Sequence, residues 1–142
     1  MKLTAVVMFF LLMTTAASAA NLESRDAAKK LTDNFMDKIA SGNIEGGLLL
    51  MKPYTITPEA EFKVMSEQAR LQLPAMQGRL GQVLGTEFIR EKMVGKSLLQ
   101  IIQIQKFEKS ILRWSFIFYN PDGRWILNTF GFDDKIQTMF ED

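Results

Sequence analysis

The chain has 142 residues, with 17 basic and 16 acidic side chains and neither histidine nor cysteine. This near-neutral balance excludes the basic excess of a nucleic-acid-binding protein or of a polybasic protein that lies on a membrane surface. Without histidine or cysteine, a histidine-based triad, a cysteine nucleophile, a disulfide and most transition-metal sites are excluded as well. The sequence therefore predicts a protein without nucleic-acid partners, metal or cofactor.

Residues 1–20 have the order of a secretory signal peptide. Lys2 is followed by an apolar run from Leu3 to Met13 and then by small residues up to Ala20. The run is only about half as long as a membrane-spanning helix, so we expect cleavage after Ala19 or Ala20 and no stable membrane insertion afterwards. We expect residues 21–142 to form a single domain. A disulfide-free exported chain indicates a bacterial protein that is periplasmic or secreted.

Three helices are predicted in the first half of this domain. Apolar residues recur at every fourth position between Glu23 and Ala40, and Gly42 follows as a stop. Asn43 can cap a second, shorter helix that ends before Pro53. The segment Thr57-Pro58-Glu59 is a strong start for a third helix, which we expect Pro74 to break or restart.

After Gly85 the apolar residues alternate, as they do in strands. Four strands joined by short turns are predicted, over residues 86–94, 97–107, 111–119 and 124–132. Helices followed by consecutive strands indicate an α+β fold with an antiparallel sheet. In the second strand the alternation changes at Ile101-Ile102. Either a β-bulge lies there or the strand is buried on both faces in the middle of the sheet.

The turn Asn120-Pro121-Asp122-Gly123 predicts the register of the last hairpin. A type I turn with Gly123 in the left-handed region would set Asn120 opposite Arg124. This register places one set of side chains on the core face: Trp114, Phe116, Asn128 and Phe130. It places a second set on the outer face: Ile117, Tyr119, Trp125 and Leu127.

The order of three helices and a bent sheet of about four strands resembles the cone-shaped NTF2-like fold of the cystatin-like group. More narrowly, three segments are similar to small exported bacterial proteins of this superfamily that have no assigned activity: residues 112–119, the Asn-Pro-Asp-Gly turn and residues 125–133. The resemblance implies a ligand cavity between the concave sheet face and the helices. It implies no catalytic residue, because the matching motifs specify a hairpin and a core.

On this basis we expect a non-enzymatic binding or assembly domain with an apolar cavity for a small hydrophobic ligand or a peptide. The cavity would be lined by Trp114, Phe116, Asn128 and Phe130, with Phe35 or Phe62 opposite. Asn128 is either a polar group of the cavity or a core amide bonded to backbone. The alternative is a carboxylate-dependent isomerase or hydrolase that uses the same cavity.

Two charged clusters have a structural as well as a functional interpretation. Charged residues between Glu87 and Lys92 could hold an acid or base, but they also protect an edge strand against pairing with another sheet. Asp133 and Asp134 could bind a divalent cation, but we expect them to cap a short C-terminal helix that ends near Phe140.

The outer sheet face suggests a partner. Ile117, Tyr119, Trp125 and Leu127 would form an apolar patch of a kind that monomers seldom expose. Relatives of this fold often dimerise through that face, so the resemblance predicts a homodimer.

Overall fold

The computed structural model describes residues 20–141, so most of the predicted signal peptide, residues 1–19, lies outside the described residues. Helices come first and strands follow. The helices are α1 (Arg25–Ala40), α2 (Ile44–Met51) and α3 (Glu59–Leu80), and the strands are β1 (Val83–Val94), β2 (Leu98–Phe107), β3 (Ile111–Tyr119) and β4 (Ile126–Asp133). Short 3-10 turns cover Lys52–Tyr54 and Ile136–Phe140. This order confirms the predicted α+β class, three helices packed on an antiparallel sheet of four strands.

Helices α1 and α2 begin at side-chain caps, whereas α3 begins after Pro58 without one. Ser24 Oγ accepts a hydrogen bond from the Ala27 N–H at 3.0 Å, and Asn43 Oδ1 accepts one from the Gly46 N–H at 2.9 Å. Both are N-caps that satisfy otherwise free backbone donors. Helix α3 ends at Gly81, whose φ of 92° lies in the region that glycine tolerates best.

Pro74 lies inside α3, and the helix continues through it to Leu80. The expected break is therefore wrong. Leu73 and Leu80 are both buried, so the segments before and after the proline pack against the same core. Burial of two leucines contributes about 3–6 kcal/mol, which offsets the roughly 3 kcal/mol that an internal proline costs a helix.

The sheet has the order β1-β2-β3-β4 with every neighbouring pair antiparallel. Strand β2 pairs with β3 without any register shift, so the bulge proposed at Ile101-Ile102 is absent from β2. The alternative is correct: Ile101 and Ile102 are both buried, on opposite faces of the strand. The irregularities lie in the edge strands instead, near Leu84 and Ile89 of β1 and at Asn128 of β4.

The outer face of β2 is covered by the C-terminal segment. The 3-10 turn Ile136–Phe140 contacts β3, and Arg90 Nη1 on β1 donates to the Met139 carbonyl at 3.5 Å. This turn therefore crosses the face of the sheet opposite the helices. Its coverage explains why Ile102 is buried although it points away from the helical layer.

The predicted register of the last hairpin is wrong. Tyr119 pairs with Ile126, so the loop is longer than the expected turn, although Gly123 has the predicted positive φ and donates to Asn120 Oδ1 at 2.6 Å. A second shift follows between Ile117 and Phe118, which leaves Asn128 as an extra residue in β4. Beyond this bulge, Phe130 pairs with Phe116, and the even-numbered rings share the core face as predicted.

The bulge turns Leu127 into the core and leaves Asn128 exposed. Trp125 and Leu127 are held there by backbone bonds along the free edge of β4. The Leu22 and Trp125 backbones exchange two hydrogen bonds of 2.9 and 2.8 Å, and the Ile56 N–H donates to the Leu127 carbonyl at 3.3 Å. Trp125 and Leu127 are therefore not part of an outer patch, whereas Ile117 and Tyr119 do lie on the outer face.

Candidate functional site

The aromatic residues expected to line a cavity pack against one another. The Phe35 ring lies edge-on to Trp114, with centroids 5.0 Å apart, and edge-on to both Phe116 and Phe130 at 5.6 Å. Phe62 is buried elsewhere in the core, beside α2. Four of the six predicted ligand-binding residues are thus brought together, but as interlocked rings, and Asn128 lies outside the cluster.

A cavity of about 310 Å³ lies beside this cluster, at one end of the concave sheet face. It is bounded by the last turn of α1, by α3 around Pro74 and by the adjoining ends of β1 and β2. The lining residues are Ile39, Ala40, Ser41, Gly42, Ile44, Leu73, Pro74, Gln77, Gln82, Val83, Gln105 and Phe107. The cavity lies between the sheet and the first and third helices, toward β1 and β2, and none of the six residues predicted to line a cavity is among its lining residues.

The lining residues are all uncharged, and their polar groups are amides and a hydroxyl. Gln105 is the buried member, with 4% of its surface exposed. Its Oε1 accepts a hydrogen bond from the Trp114 indole Nε1 at 3.4 Å, which links the cavity wall to the aromatic cluster. Since a buried amide can donate as well as accept, Gln105 can orient a ligand that enters the cavity.

Turns between the elements position the remaining polar groups. Gly81 ends α3, and the adjacent Gln82 N–H donates to Glu108 Oε2 at 3.0 Å. The Glu108 N–H in turn donates to the Gln82 carbonyl at 3.2 Å. These bonds hold Gln82 at the cavity while the Glu108 carboxylate is used to secure the turn.

Gln105 was missed because both faces of β2 are buried. Ile102 and Ile104 lie on the face of β2 that points away from the helices. Gln103 and Gln105 lie on the face that points toward the helices. A useful signal is present all the same. A glutamine at every second position of a strand flanked by isoleucines departs from the pattern of a simple core strand.

A second polar cluster near the cavity is satisfied internally. Gln103 Nε2 donates to Thr32 Oγ1 and to Asp33 Oδ1, both at 2.9 Å. Lys29 Nζ lies 2.8 Å from Asp33 Oδ2 and 4.6 Å from the centre of the Phe88 ring. The Asp33 carboxylate is thus engaged on both oxygens, and the cluster joins α1 to the sheet.

The other carboxylates singled out in the sequence are paired with cations. Asp133 receives two hydrogen bonds from Arg113, at 3.1 and 2.6 Å, and one from the Lys135 N–H at 2.9 Å. Burial by itself would raise the pKa of Asp133, but these hydrogen bonds outweigh it and hold the pKa below its usual value. Asp134 pairs with Arg79 at 3.2 Å. The two aspartates therefore secure the C-terminal segment to β3 and α3, and neither side chain caps the 3-10 turn.

Edge strand β1 carries paired charges, in line with a protective role. Glu87 lies 3.5 Å from Lys106, and Glu91 lies 2.6 Å from Arg25.

Within residues 20–141, no three carboxylates are grouped so that they could hold a metal ion. In the same range, every helix is too short or too polar to cross a membrane.

The chain matches no family model and no curated protein. Among solved structures it is similar to a crystal structure from Campylobacter jejuni described as an NTF2-like transpeptidase. The two share 15% sequence identity, and the match covers 72% of this chain and 97% of the other with a TM-score of 0.48. A likeness of this degree carries no information about activity or ligand.

Proposed function

We propose that the chain is an exported binding protein that holds a small, uncharged and partly apolar molecule in the cavity beside Gln105. The observation that carries this proposal is the composition of the cavity wall, which is uncharged and mixes apolar side chains with neutral amides and the Ser41 hydroxyl. The volume of about 310 Å³ is at the lower end of the range for small-molecule sites.

The selectivity follows from the cost of desolvation. A charged ligand would lose its hydration in this cavity without meeting an opposite charge, whereas a neutral group loses little if one amide replaces its water. Gln105 supplies that amide, and Leu73 and Phe107 supply apolar contact. Because the lining residues include no acid or base that could activate the Ser41 hydroxyl, the proposal is binding without chemical change.

A pair of isosteric probes tests the proposed selectivity. Naphthalene-2-carboxamide and naphthalene-2-carboxylate have the same shape, and only the second is charged. We expect the amide to bind at least about tenfold more tightly, since burial of an unpaired charge costs more than the roughly 1.4 kcal/mol that a tenfold difference represents. Binding is measured by NMR from the chemical shift of the Trp114 indole N–H, which donates a hydrogen bond to Gln105. The indole N–H of Trp125 is the internal reference.

A matched pair of variants locates the binding site. Gln77 lines the cavity mouth and Gln72 is exposed on the same helix away from it. Gln77→Phe should reduce amide binding, because the larger side chain fills the mouth, while Gln72→Phe should leave it unchanged. Equal binding of both probes, a response at Trp125 instead of Trp114, or equal effects of the two variants would each overturn the proposal.

A further inference from the structure

Helix α3 is apolar on two opposite faces. One face is buried and includes Phe62, Leu73 and Leu80. At 100° per residue, the opposite face carries Val64 and Leu71, which are 55% and 76% exposed, together with three small exposed residues, Ala60, Ala75 and Gly78. These five residues, 60, 64, 71, 75 and 78, are called the outer stripe below.

Exposed apolar side chains aligned along a helix are a feature of helix-pairing surfaces. At its N-terminal half the outer stripe includes a shallow, open depression on the surface of α3 itself, lined by Ala60, Glu61, Val64, Met65 and Gln68. The small residues at both ends of the stripe would allow a second helix to approach closely, and the depression gives room for its side chains.

The charges that flank the stripe are distributed unevenly along the helix. Glu61 and Glu67 lie in the N-terminal half together with one cation, Lys63, and Arg70 and Arg79 lie in the C-terminal half. If two copies of α3 pair antiparallel about a two-fold axis near residues 69–70, Glu61 comes opposite Arg79 of the second copy. Glu67 then comes opposite Arg70 of the second copy, and Val64 opposite its Ala75. A parallel pair would instead set like charges side by side.

We propose that two copies of this chain associate through antiparallel pairing of their outer stripes. Because the two copies are related by a two-fold axis, each charge contact between them occurs twice. The dipoles of two antiparallel helices also favour this arrangement. Arg79 is free to contribute because its existing contact, with Asp134 at 3.2 Å, joins two side chains that are both more than half exposed. Such exposed pairs contribute little to stability.

The size of the surface predicts the strength of association. A helix of 22 residues is about 33 Å long, and a single helix pair buries less than the roughly 800 Å² per partner of a standard interface. We therefore expect a dimer that dissociates in the micromolar range. Sedimentation velocity of the purified protein, in the form that cells accumulate, should show the monomer converting to the dimer as concentration rises through that range.

Leu71→Glu tests the stripe, because it puts two buried charges at the centre of the interface. We expect the dissociation constant to rise about tenfold or more with the melting temperature of the monomer unchanged, since Leu71 contacts solvent in the monomer. Leu49→Glu is the matched control: Leu49 is also an exposed helical leucine, 58% exposed on α2, and its replacement should leave association unchanged.

A charge exchange tests the antiparallel register. Glu61→Arg and Arg79→Glu should each weaken the dimer by setting like charges opposite one another, and the double variant should restore it. A protein that stays monomeric at several hundred micromolar overturns the proposal. So does a dimer that Leu71→Glu leaves intact, which would point to another surface such as the outer sheet face, or a double variant that is no tighter than the single ones.

Discussion

At the residue scale, the predicted and the observed core faces differ in the position of one amide side chain, that of Asn128. The sequence pattern placed Asn128 among the core aromatics, but the bulge in β4 leaves it exposed and turns Leu127 inward. The polar groups that do lie on the concave face are Gln103 and Gln105, which are 2% and 4% exposed. Each has a side-chain partner at one end of its amide, Gln103 through Nε2 and Gln105 through Oε1, which offsets part of the cost of burying it.

The corrected register predicts a large loss of stability for one substitution and almost none for its neighbour. Leu127→Ala removes a fully buried side chain and should lower the free energy of unfolding by about 2–5 kcal/mol. Asn128→Ala changes an exposed residue in a bulge and should stay within about 0.5 kcal/mol. Urea denaturation of both variants measures the difference. A larger loss for Asn128→Ala would favour the register that the turn sequence alone predicts.

The Arg113–Asp133 pair predicts a specific acid sensitivity. The pKa of Asp133 is lowered in the folded state because the hydrogen bonds from Arg113 and Lys135 outweigh the effect of burial. A carboxyl group with a depressed folded pKa stabilises the fold above its unfolded pKa of about 3.9 and loses that contribution as the pH falls through the folded value. Wild-type stability should therefore fall below about pH 4.

Asp133→Asn should make this acid-dependent loss smaller, because the amide does not titrate, and it should also lower stability at neutral pH by removing the ion pair. The measurement is the urea midpoint at neutral and at acid pH. Asp134→Asn is the control, since it keeps the Arg113–Asp133 pair and the pH dependence that belongs to it. An Asp133→Asn variant with the full wild-type loss in acid would contradict the assignment.

At the element scale, helix α3 has three surfaces with different structural roles. Its inner face closes the core through Leu73 and Leu80, its side around Gln77 borders the cavity, and its outer stripe is apolar. The helix must therefore run unbroken through Pro74 and end at a defined residue. Gly81 provides this end with its positive φ, and it is packed closely against the Glu108 side chain.

Two glycine substitutions in this helix should have opposite signs. Gly81→Ala forces a side chain into the left-handed region and against Glu108, so we expect a loss of about 1–3 kcal/mol. Gly78 lies inside the helix with open space around its Cα, so Gly78→Ala should stabilise the monomer by up to about 1 kcal/mol. Thermal unfolding at low protein concentration compares the two, and a stabilising Gly81→Ala would show that the turn has another conformation.

At the scale of the whole molecule, helices cover the concave face of the sheet, and the C-terminal segment crosses part of the other face. The chain enters this fold at Ala20, whose N–H donates to the Pro53 carbonyl at 2.6 Å. The first residues of the described chain are therefore already bonded to it. Cleavage after Ala19 would leave this contact at the new N-terminus, whereas cleavage after Ala20 would remove it.

Export makes a prediction that mass spectrometry can check. If residues 1–20 direct secretion in a bacterium, protein recovered from the envelope fraction should begin at Ala20 or Asn21. Replacing Ala17 and Ala19 by bulkier residues should slow processing, because small side chains are needed at the cleavage site. Recovery of envelope protein that still begins at Met1 would refute cleavage.

The sequence by itself determined the number, type and order of the elements, since these depend on local periodicity, caps and turn residues. It also determined that the core face of β3 carries Trp114 and Phe116, because alternation in a strand is a local property. Only the tertiary structure decided which side chains of β2 and β4 face inward. Coverage of β2 by the C-terminal turn and bonding of the β4 edge to Leu22 and Ile56 are contacts between distant segments, and no local pattern encodes them. The cavity beside Gln105 lies between the end of α1, the middle of α3 and the ends of β1 and β2, which are distant in the sequence, so it too emerged only from the fold.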